Sequence, residues 1–488
     1  MNASLTARVM EIIMVANFLF IIAVVYIEKK KPSAAAVWVL ILSFLPAVGI
    51  VLYLIFGRNL RLNKKRVFKN KKEYDLQYNA ELVRQKYLLD NRKIYLTDKS
   101  IGQYLDIIEM HLNASRSIYS QDNSIVIFTE AKDKYSSLIK DIEASRESIH
   151  LLYFIINNDN IGRKIVDCLT RKANQGVSVR LLYDHVGSLF TPFSMFNDLI
   201  KAGGKVYRFF PLRLGTYLRI NFRNHRKIVV IDGRIGYTGG INIGDEYMSL
   251  HKRKTPWRDT HIRITGSSVH ALQERFLSDW YYTSKEGSIK DSEMLKKFFP
   301  EVINCQGQLG VQVVSAGPDS NREQIKLGLI KVINSARKFL YIQSPYFVPD
   351  EPFLEALQIA AMSGVDIRIM LPSVPDKRFV YRVTFSYIQD LIDYGIRVYL
   401  YPGFLHSKML VMDGKIASLG TTNIDIRSFS LDFEINVFVY NTSFSEQCAE
   451  IFKKDMEVCR YVTEEWYRSR SFLVKAQEGF FRLFSPLM

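Results

Sequence analysis

Two long apolar runs open the chain. Ile12–Ile27 is apolar apart from Asn17, and Ala34–Phe56 is an uncharged run of 23 residues. The hydrocarbon core of a bilayer takes roughly 20 residues of helix. The second run is long enough to span it. The first, at 16 residues, reaches that length if Val9 and Met10 extend it past Glu11. The pattern predicts a transmembrane helical hairpin over residues 1–57, with helices at about 9–27 and 34–56. No small-residue cleavage site follows Ile27 before the next run, which argues against a removable signal peptide.

After a charged stretch, read as a linker over 58–110, the pattern changes. Short apolar blocks alternate with helical stretches, and the blocks recur. Ser148-Ile149-His150-Leu151-Leu152-Tyr153 and Gly176-Val177-Ser178-Val179-Arg180-Leu181 in one half match Lys338-Phe339-Leu340-Tyr341-Ile342 and Gly364-Val365-Asp366-Ile367-Arg368-Ile369 in the other. Gly204-Lys205-Val206-Tyr207, ending at Pro211, matches Gly395-Ile396-Arg397-Val398-Tyr399, ending at Pro402. Strands alternating with helices predict parallel sheet of the α/β class. The period is far too long for a solenoid. The expectation is two tandem α/β halves, 111–300 and 301–488, with the functional site at the seam between them.

The densest part of the repeat is polar. His225, Lys227 and Asp232 are followed by Gly239, Gly240 and Asn242; His406, Lys408 and Asp413 are followed by Gly420, Thr421 and Asn423. At average usage of about 5–7% per residue type, one such register behind a histidine arises by chance with a probability of roughly 0.002. Two copies are not an accident. Residues two apart on a strand share a face, so each His and Lys should point the same way. Ile228–Ile231 and Met409–Met412 read as buried strands, and Asp232-Gly233 and Asp413-Gly414 as hairpin turns. Two such hairpins facing one another would gather two imidazoles, two ammonium groups and two carboxamides. That set suits an anionic phosphoryl group: one imidazole attacks phosphorus, the other protonates the leaving oxygen, and lysines and amides hold the developing charge.

The paired motifs resemble the phospholipase D superfamily. Tyr341-Ile342-Gln343-Ser344-Pro345-Tyr346-Phe347-Val348-Pro349-Asp350, Trp257-Arg258-Asp259-Thr260-His261 and Asn423-Ile424-Asp425-Ile426-Arg427-Ser428-Phe429, continuing through Leu431-Asp432-Phe433-Glu434, narrow the resemblance to the bacterial cardiolipin synthases, over nearly the whole chain. The resemblance implies a pseudo-symmetric body of two phospholipase D-like halves. It implies reversible phosphatidyl transfer between two phosphatidylglycerols, giving cardiolipin and glycerol through a phosphohistidine, with no cofactor and no metal. By carry-over, His225 is the nucleophile and His406 the acid and base, with Lys227, Lys408, Asn242 and Asn423 on the phosphate. Asp259 and Glu434 match the acidic partner that the family places some 30 residues after each histidine. Asp232 and Asp413 belong to the catalytic motif, although their place at the turns suits a pinning role. The alternative is a phospholipase D-type hydrolase or membrane-tethered nuclease with the same residues.

Charge completes the picture. The net charge is +17 over 488 residues, and Arg58–Lys72 carries eight basic residues and no acidic one. Such a cluster favours the cytoplasmic side and an anionic lipid surface; Lys29, Lys30 and Lys31 in the hairpin loop argue the other way. The expectation is a multi-pass protein of the bacterial cell membrane with a cytoplasmic catalytic body. A basic surface also suits nucleic acid, but the two hydrophobic anchors make lipid the expected partner. Two further segments look membrane-directed: the insertion Leu212–Asn224, with Arg213, Arg219 and Arg223 among apolar residues, and the apolar C-terminal tail from Phe480. Cys168, Cys305, Cys448 and Cys459 are scattered and show no metal-ligand spacing.

Overall fold

A computed structural model describes residues 2–28, 32–57, 76–211, 221–249, 256–284, 286, 296–302, 307–320 and 322–487. The hairpin-loop lysines, the basic cluster after the hairpin, most of the 212–224 insertion and Cys305 lie outside the described residues.

Fifteen strands form one sheet. The first half contributes β1 (Ser120–Phe128), β2 (Ser148–Tyr153), β3 (Ser178–Asp184), β4 (Lys205–Phe209), β5 (Ile228–Ile231), β6 (Ile235–Gly239) and β7 (His261–Thr265). The second contributes β8 (Leu309–Ala316), β9 (Phe339–Gln343), β10 (Asp366–Pro372), β11 (Arg397–Tyr401), β12 (Met409–Met412), β13 (Ile416–Gly420), β14 (Glu434–Tyr440) and the short edge strand β15 (Arg460–Tyr461). The order is β15-β11-β10-β9-β12-β13-β14-β8-β1-β7-β6-β5-β2-β3-β4. Seven strands run outward in the same order from each side of the β8–β1 junction, so the sequence repeat becomes a pseudo-two-fold. β2-β3-β4 and β9-β10-β11 pair in parallel, as the alternation with helices predicts.

The continuous apolar strands are buried on both faces, as strands sandwiched between helices must be. Leu151, Leu181 and Val229 face the helices Ala131–Ala144 and Asn160–Asn174, while their neighbours Leu152, Leu182 and Val230 face Val269–Ser284. In the second half Leu340, Ile342 and Ile369 face Gln324–Ser335 and Glu351–Met362, whereas Tyr341, Met370 and Val411 face Thr442–Glu457. The layer under Val269–Ser284 and Thr442–Glu457 is one cluster running through both halves. At about 1.5–3 kcal/mol per buried aliphatic side chain, that shared layer is what joins the halves into one body.

Two sequence expectations change. The linker region is structured from Leu76 onward: helices Leu76–Asp90 and Leu105–Ser115 are present, and Ile101, Tyr104, Ile107, Ile108 and Leu112 are buried in the core of the second half. Their helical spacing was hidden by the surrounding charge. The second arm of the hairpin is not one helix of 23 residues. α1 (Asn2–Ile27) packs against α2 (Pro32–Phe44) and α3 (Pro46–Phe56), which are separated at Leu45 (φ −133°, ψ 68°). Pro46 has no N–H and its ring clashes with the preceding turn. The carbonyl deprived of its donor belongs to Leu42, and Asn17 of α1 donates its Nδ2 to it at 3.0 Å. The polar residue that interrupts the first apolar run thus repairs the break in the second. Among the described residues, Met10–Ile27 is the helix long and apolar enough to cross a membrane.

Candidate active site

Each histidine is set by a strand from the opposite half. Asn224 bridges to Phe433, and the His225 N–H donates to Phe433 O at 3.0 Å; Glu434 follows immediately. In the mirror position Phe404-Leu405 pairs in parallel with Trp257-Arg258, and the His406 N–H donates to Arg258 O at 2.7 Å; Asp259 follows. His225 and Lys227 therefore lie in an extended segment just ahead of β5, not within the strand as expected. Arg226 points the other way and is fully buried. Its Nη1 meets Asp279 at 2.7 Å, and its Nε and Nη2 donate to the carbonyls of Glu434 and Ala316, tying this segment to the second half.

This threading exchanges the acids. His225 Nδ1 is 2.9 Å from Glu434 Oε1, and His406 Nδ1 is 2.6 Å from Asp259 Oδ2. The acid lying some 30 residues after each histidine serves the other one. A carboxylate on Nδ1 fixes the tautomer with the proton on that nitrogen and leaves the Nε2 lone pair free. The Gly-Gly against Gly-Thr difference in the motif follows from the same geometry. A Cβ at Gly240 would come within 1.9 Å of Asp259 Oδ1, whereas Thr421 at the matching position donates its hydroxyl to Glu434 Oε2.

The motif aspartates are elsewhere. Asp232 (φ +51°) and Asp413 (φ +53°), each followed by a glycine at positive φ, form the two-residue hairpin turns that such Asp-Gly pairs favour. Asp232 accepts from the amides of Arg146, Glu147 and Ser148 at 2.8–2.9 Å, and Asp413 from those of Arg337, Lys338 and Phe339 at 2.7–2.8 Å. They pin the turn to the start of β2 and β9. Neither lines the cavity, and these contacts fit the pinning role that their place at the turns suits.

Both histidines, Asn242 and Asn423 line a cavity of about 910 Å³ at the seam, with walls from both halves. Lys227 and Lys408 sit behind the histidines, each donating one Nζ–H to the carbonyl of its own histidine (2.8 Å for Lys227, 2.5 Å for Lys408) and keeping its remaining donors. Asn242 is held at both ends, accepting at Oδ1 from the Ile155 amide and donating from Nδ2 to the Tyr247 hydroxyl, while Asn423 Oδ1 has no hydrogen-bond partner among the described residues.

Burial dominates the electrostatics. It pulls Lys227 down to about 7 and Lys408 to about 8. It holds His406 at about 4, with Lys408 adding to the effect and Asp259 opposing it. His225 is driven well below the usual imidazole range by burial and by Lys227, Lys408, His406 and Lys377. Both imidazoles are therefore neutral near pH 7, and an incoming anion would favour their protonated forms and those of the lysines.

Other wall residues had gone unassigned a role in the sequence: Phe154, Glu246, Tyr346, Asp376, Lys377, Asp425 and Asp432. Tyr346, Asp425 and Asp432 fall inside the family-like segments quoted above. Lys377 carries no motif signal, because it lies between the repeats' landmarks. His150 and His261 are buried core residues. Among the described residues no group of His, Cys, Asp or Glu could hold a metal ion. The wall also includes Leu487 of the C-terminal turn Ser485–Leu487, which packs against the cluster of Trp38 and Tyr53 in the hairpin.

The geometry has counterparts in known proteins. Residues 138–280 and 329–456 match the family described as "Cardiolipin synthase, PLD-like domain". This chain belongs to that family. Residues 15–58 match the family described as "Phospholipase D-nuclease N-terminal". The chain is 41% identical to the major cardiolipin synthase ClsA of Bacillus subtilis over 487 residues, covering 99% of this chain and 100% of that one. It is 40% identical to a cardiolipin synthase of Listeria welshimeri over 486 residues, with the same coverage. Among solved structures, the phosphatidylserine synthase of Haemophilus influenzae superposes with a TM-score of 0.61 at 13% identity, covering 78% of this chain and 99% of that one, a likeness of fold. The enzyme thus has the two-halved phospholipase D architecture behind an N-terminal apolar hairpin.

Proposed function

We propose that this enzyme is a cardiolipin synthase that joins two phosphatidylglycerols, with His225 as nucleophile and His406 as acid and base. The observation that carries the reading is the pair of exchanged His–carboxylate contacts opening on one cavity, in a chain about 40% identical along its length to cardiolipin synthases.

His225 Nε2 attacks the phosphorus of the first phosphatidylglycerol. The P–N bond forms, the P–O bond to glycerol breaks, and His406, protonated at Nε2 once the anionic substrate is bound, gives that proton to the departing oxygen. The hydroxyl of a second phosphatidylglycerol then attacks phosphorus and surrenders its proton to His406. The P–N bond breaks, cardiolipin leaves, and both imidazoles return to their starting states. The lysine ammonium groups and the asparagine amides balance the charge that builds on the non-bridging oxygens. His406 takes the acid role by the family resemblance, in which the first-half histidine is the nucleophile. Glu434 and Asp259 orient the rings and stabilise the imidazolium form.

Lipid must reach the cavity while water is excluded. The C-terminal helix Phe472–Arg482 leaves Phe472 82% and Phe480 57% exposed, and Phe481 and Phe484 pack on Phe379 of the helix Arg378–Ser386 beside the cavity. An apolar face continuous with the hairpin suits the interfacial layer of a membrane. This supports a multi-pass protein of the bacterial cell membrane with the body on the cytoplasmic side, working on phosphatidylglycerol and cardiolipin at an anionic lipid surface and not on nucleic acid.

The test is to reconstitute the purified chain with phosphatidylglycerol vesicles and chelator, and to separate the lipid products. Cardiolipin and glycerol formed by the wild type, and lost in His225→Ala and His406→Ala, support the reading. Phosphatidic acid without cardiolipin would overturn it.

A further inference from the structure

Three cationic side chains other than the histidines line the cavity: Arg223, Lys377 and Arg427. Arg427 is committed, with Nε 3.3 Å from Asp432 Oδ2 and Nη2 donating to Asn221 O at 2.6 Å. Arg223 donates to Phe222 O at 2.8 Å and feels the carboxylates of Asp184 and Asp432. Lys377 differs. Among the described residues its ammonium has no ion-pair partner, and it lies 5.9 Å from the centroid of the Tyr346 ring. The neighbouring Asp376 is occupied by the Tyr346 hydroxyl and by the Lys377 backbone amide.

Lys377 also sits at the first turn of the helix Arg378–Ser386, which has no side-chain cap at its N-terminus. Uncapped amides there add positive potential beside the ammonium. The charge is near enough to His225 to depress its proton affinity. A cavity with one phosphate position between the histidines thus has an unneutralised cation on its wall, apart from the lysines that serve that position.

The proposed reaction needs such a cation. Water and phosphatidylglycerol compete for the same phosphohistidine, and they differ in that the lipid carries a second phosphate one glycerol away from its attacking hydroxyl. A fixed charge elsewhere on the wall of the same cavity favours the lipid and does nothing for water. We propose that Lys377, with the Tyr346 ring beside it, is the site that holds the phosphate of the acceptor lipid, and that it sets the preference for transfer over hydrolysis. This inference rests on the two-lipid reading above. The chemistry of the step is unchanged: the acceptor oxygen bonds to phosphorus, the P–N bond breaks, and His406 takes the hydroxyl proton. Lys377 acts by positioning.

The experiment uses the full chain in phosphatidylglycerol vesicles containing ethanol, so that three acceptors compete for one phosphoenzyme. Cardiolipin reports the phosphate-bearing acceptor; phosphatidylethanol and phosphatidic acid report acceptors without one. Lys377→Ala should lower the ratio of cardiolipin to phosphatidylethanol by about tenfold, the loss of one charge-assisted contact. Lys377→Glu should lower it further, and Lys377→Arg should restore most of it. An unchanged ratio in all three variants, including one in which every product falls in parallel, would overturn the assignment. A wild type that makes phosphatidylethanol but never cardiolipin would instead sink the two-lipid reading itself.

Discussion

His225 Nδ1 lies 2.9 Å from Glu434 Oε1, a residue 209 positions away in the other half of the molecule. His406 and Asp259 repeat the contact in mirror image across 147 positions. Neither half holds a complete imidazole–carboxylate pair, so each half needs the other before its histidine is oriented.

The exchange predicts which variant damages which step. Glu434→Gln should act on His225 and slow formation of the phosphoenzyme by roughly 10²–10⁴-fold, the range for losing an orienting carboxylate or an acid–base group. Asp259→Asn should act on His406 and slow departure of glycerol and activation of the acceptor. Acid-quenched single turnovers with labelled phosphatidylglycerol separate these outcomes. The reverse assignment of effects would show that each acid serves the histidine of its own half.

Gly240 offers a sharper probe, because the three atoms nearest to a Cβ there all belong to the Asp259 carboxyl group. A Cβ there would stand 1.9 Å from Asp259 Oδ1. Gly240→Ala should displace Asp259 and lower turnover at least tenfold while the sheet, and hence the unfolding midpoint, changes little. Thr421→Ala, which removes a donor from Glu434 Oε2 without adding bulk, should be the milder change. Equal activity in Gly240→Ala and wild type would mean that the Asp259 contact is dispensable.

For the motif aspartates a loss of stability is expected in place of a loss of chemistry. Removing the Asp232 carboxylate strips three amides of their acceptor, and each hydrogen bond to a charged group is worth about 1.5–3 kcal/mol. Asp232→Ala and Asp413→Ala should each lower the unfolding midpoint by several degrees, with turnover per folded molecule kept within a few-fold. A folded Asp232→Ala protein that is inactive would return Asp232 to the catalytic group.

The pH dependence of stability follows from histidines buried as neutral rings. Burial holds His111 and His150 at about 3, with Arg180 adding to the effect at His150. A depressed imidazole means that the unfolded chain binds more protons than the folded one between the two values. Stability is then full above an unfolded value of about 6.5 and falls as pH drops from there towards 3, by up to about 1.4 kcal/mol per pH unit for each group. Unfolding midpoints measured in detergent from pH 7.5 to 4 should decline. The decline should be shallower in His150→Gln, which removes one such group beside Gln273 and Phe276. A slope unaffected by that substitution would remove His150 from the account.

Local physics made much of this legible in the sequence. The apolar blocks became β2, β3, β9 and β10, and the Asp-Gly pairs became hairpins, because strand burial and turn chemistry depend on neighbours a few residues away. The exchange of Asp259 and Glu434 was not legible. It depends on Asn224 meeting Phe433 and Leu405 meeting Arg258, contacts that no local pattern encodes. Lys377 carries no sequence signal for a related reason: its significance lies in the cavity that the two halves create, and it falls between the landmarks of the second copy of the repeat. The segment 76–110 reads as linker because of its charge, while Ile101, Tyr104, Ile107, Ile108 and Leu112 join the core of the second half only once that half has folded around them.

The hairpin adds a last relationship, between Asn17 and Pro46. Inside a bilayer a carbonyl without a donor has no water to turn to, and Pro46 creates one at Leu42. Asn17 Nδ2 meets it at 3.0 Å. The contact should be worth about 0.5–2 kcal/mol, the range for interhelical hydrogen bonds in membranes. Asn17→Leu should therefore destabilise the reconstituted protein in a detergent-denaturation titration. In a Pro46→Ala background the new residue 46 amide can donate to Leu42 itself, so the same Asn17→Leu change should cost little. If Asn17→Leu costs the same in both backgrounds, Asn17 stabilises the hairpin by some route other than the broken helix.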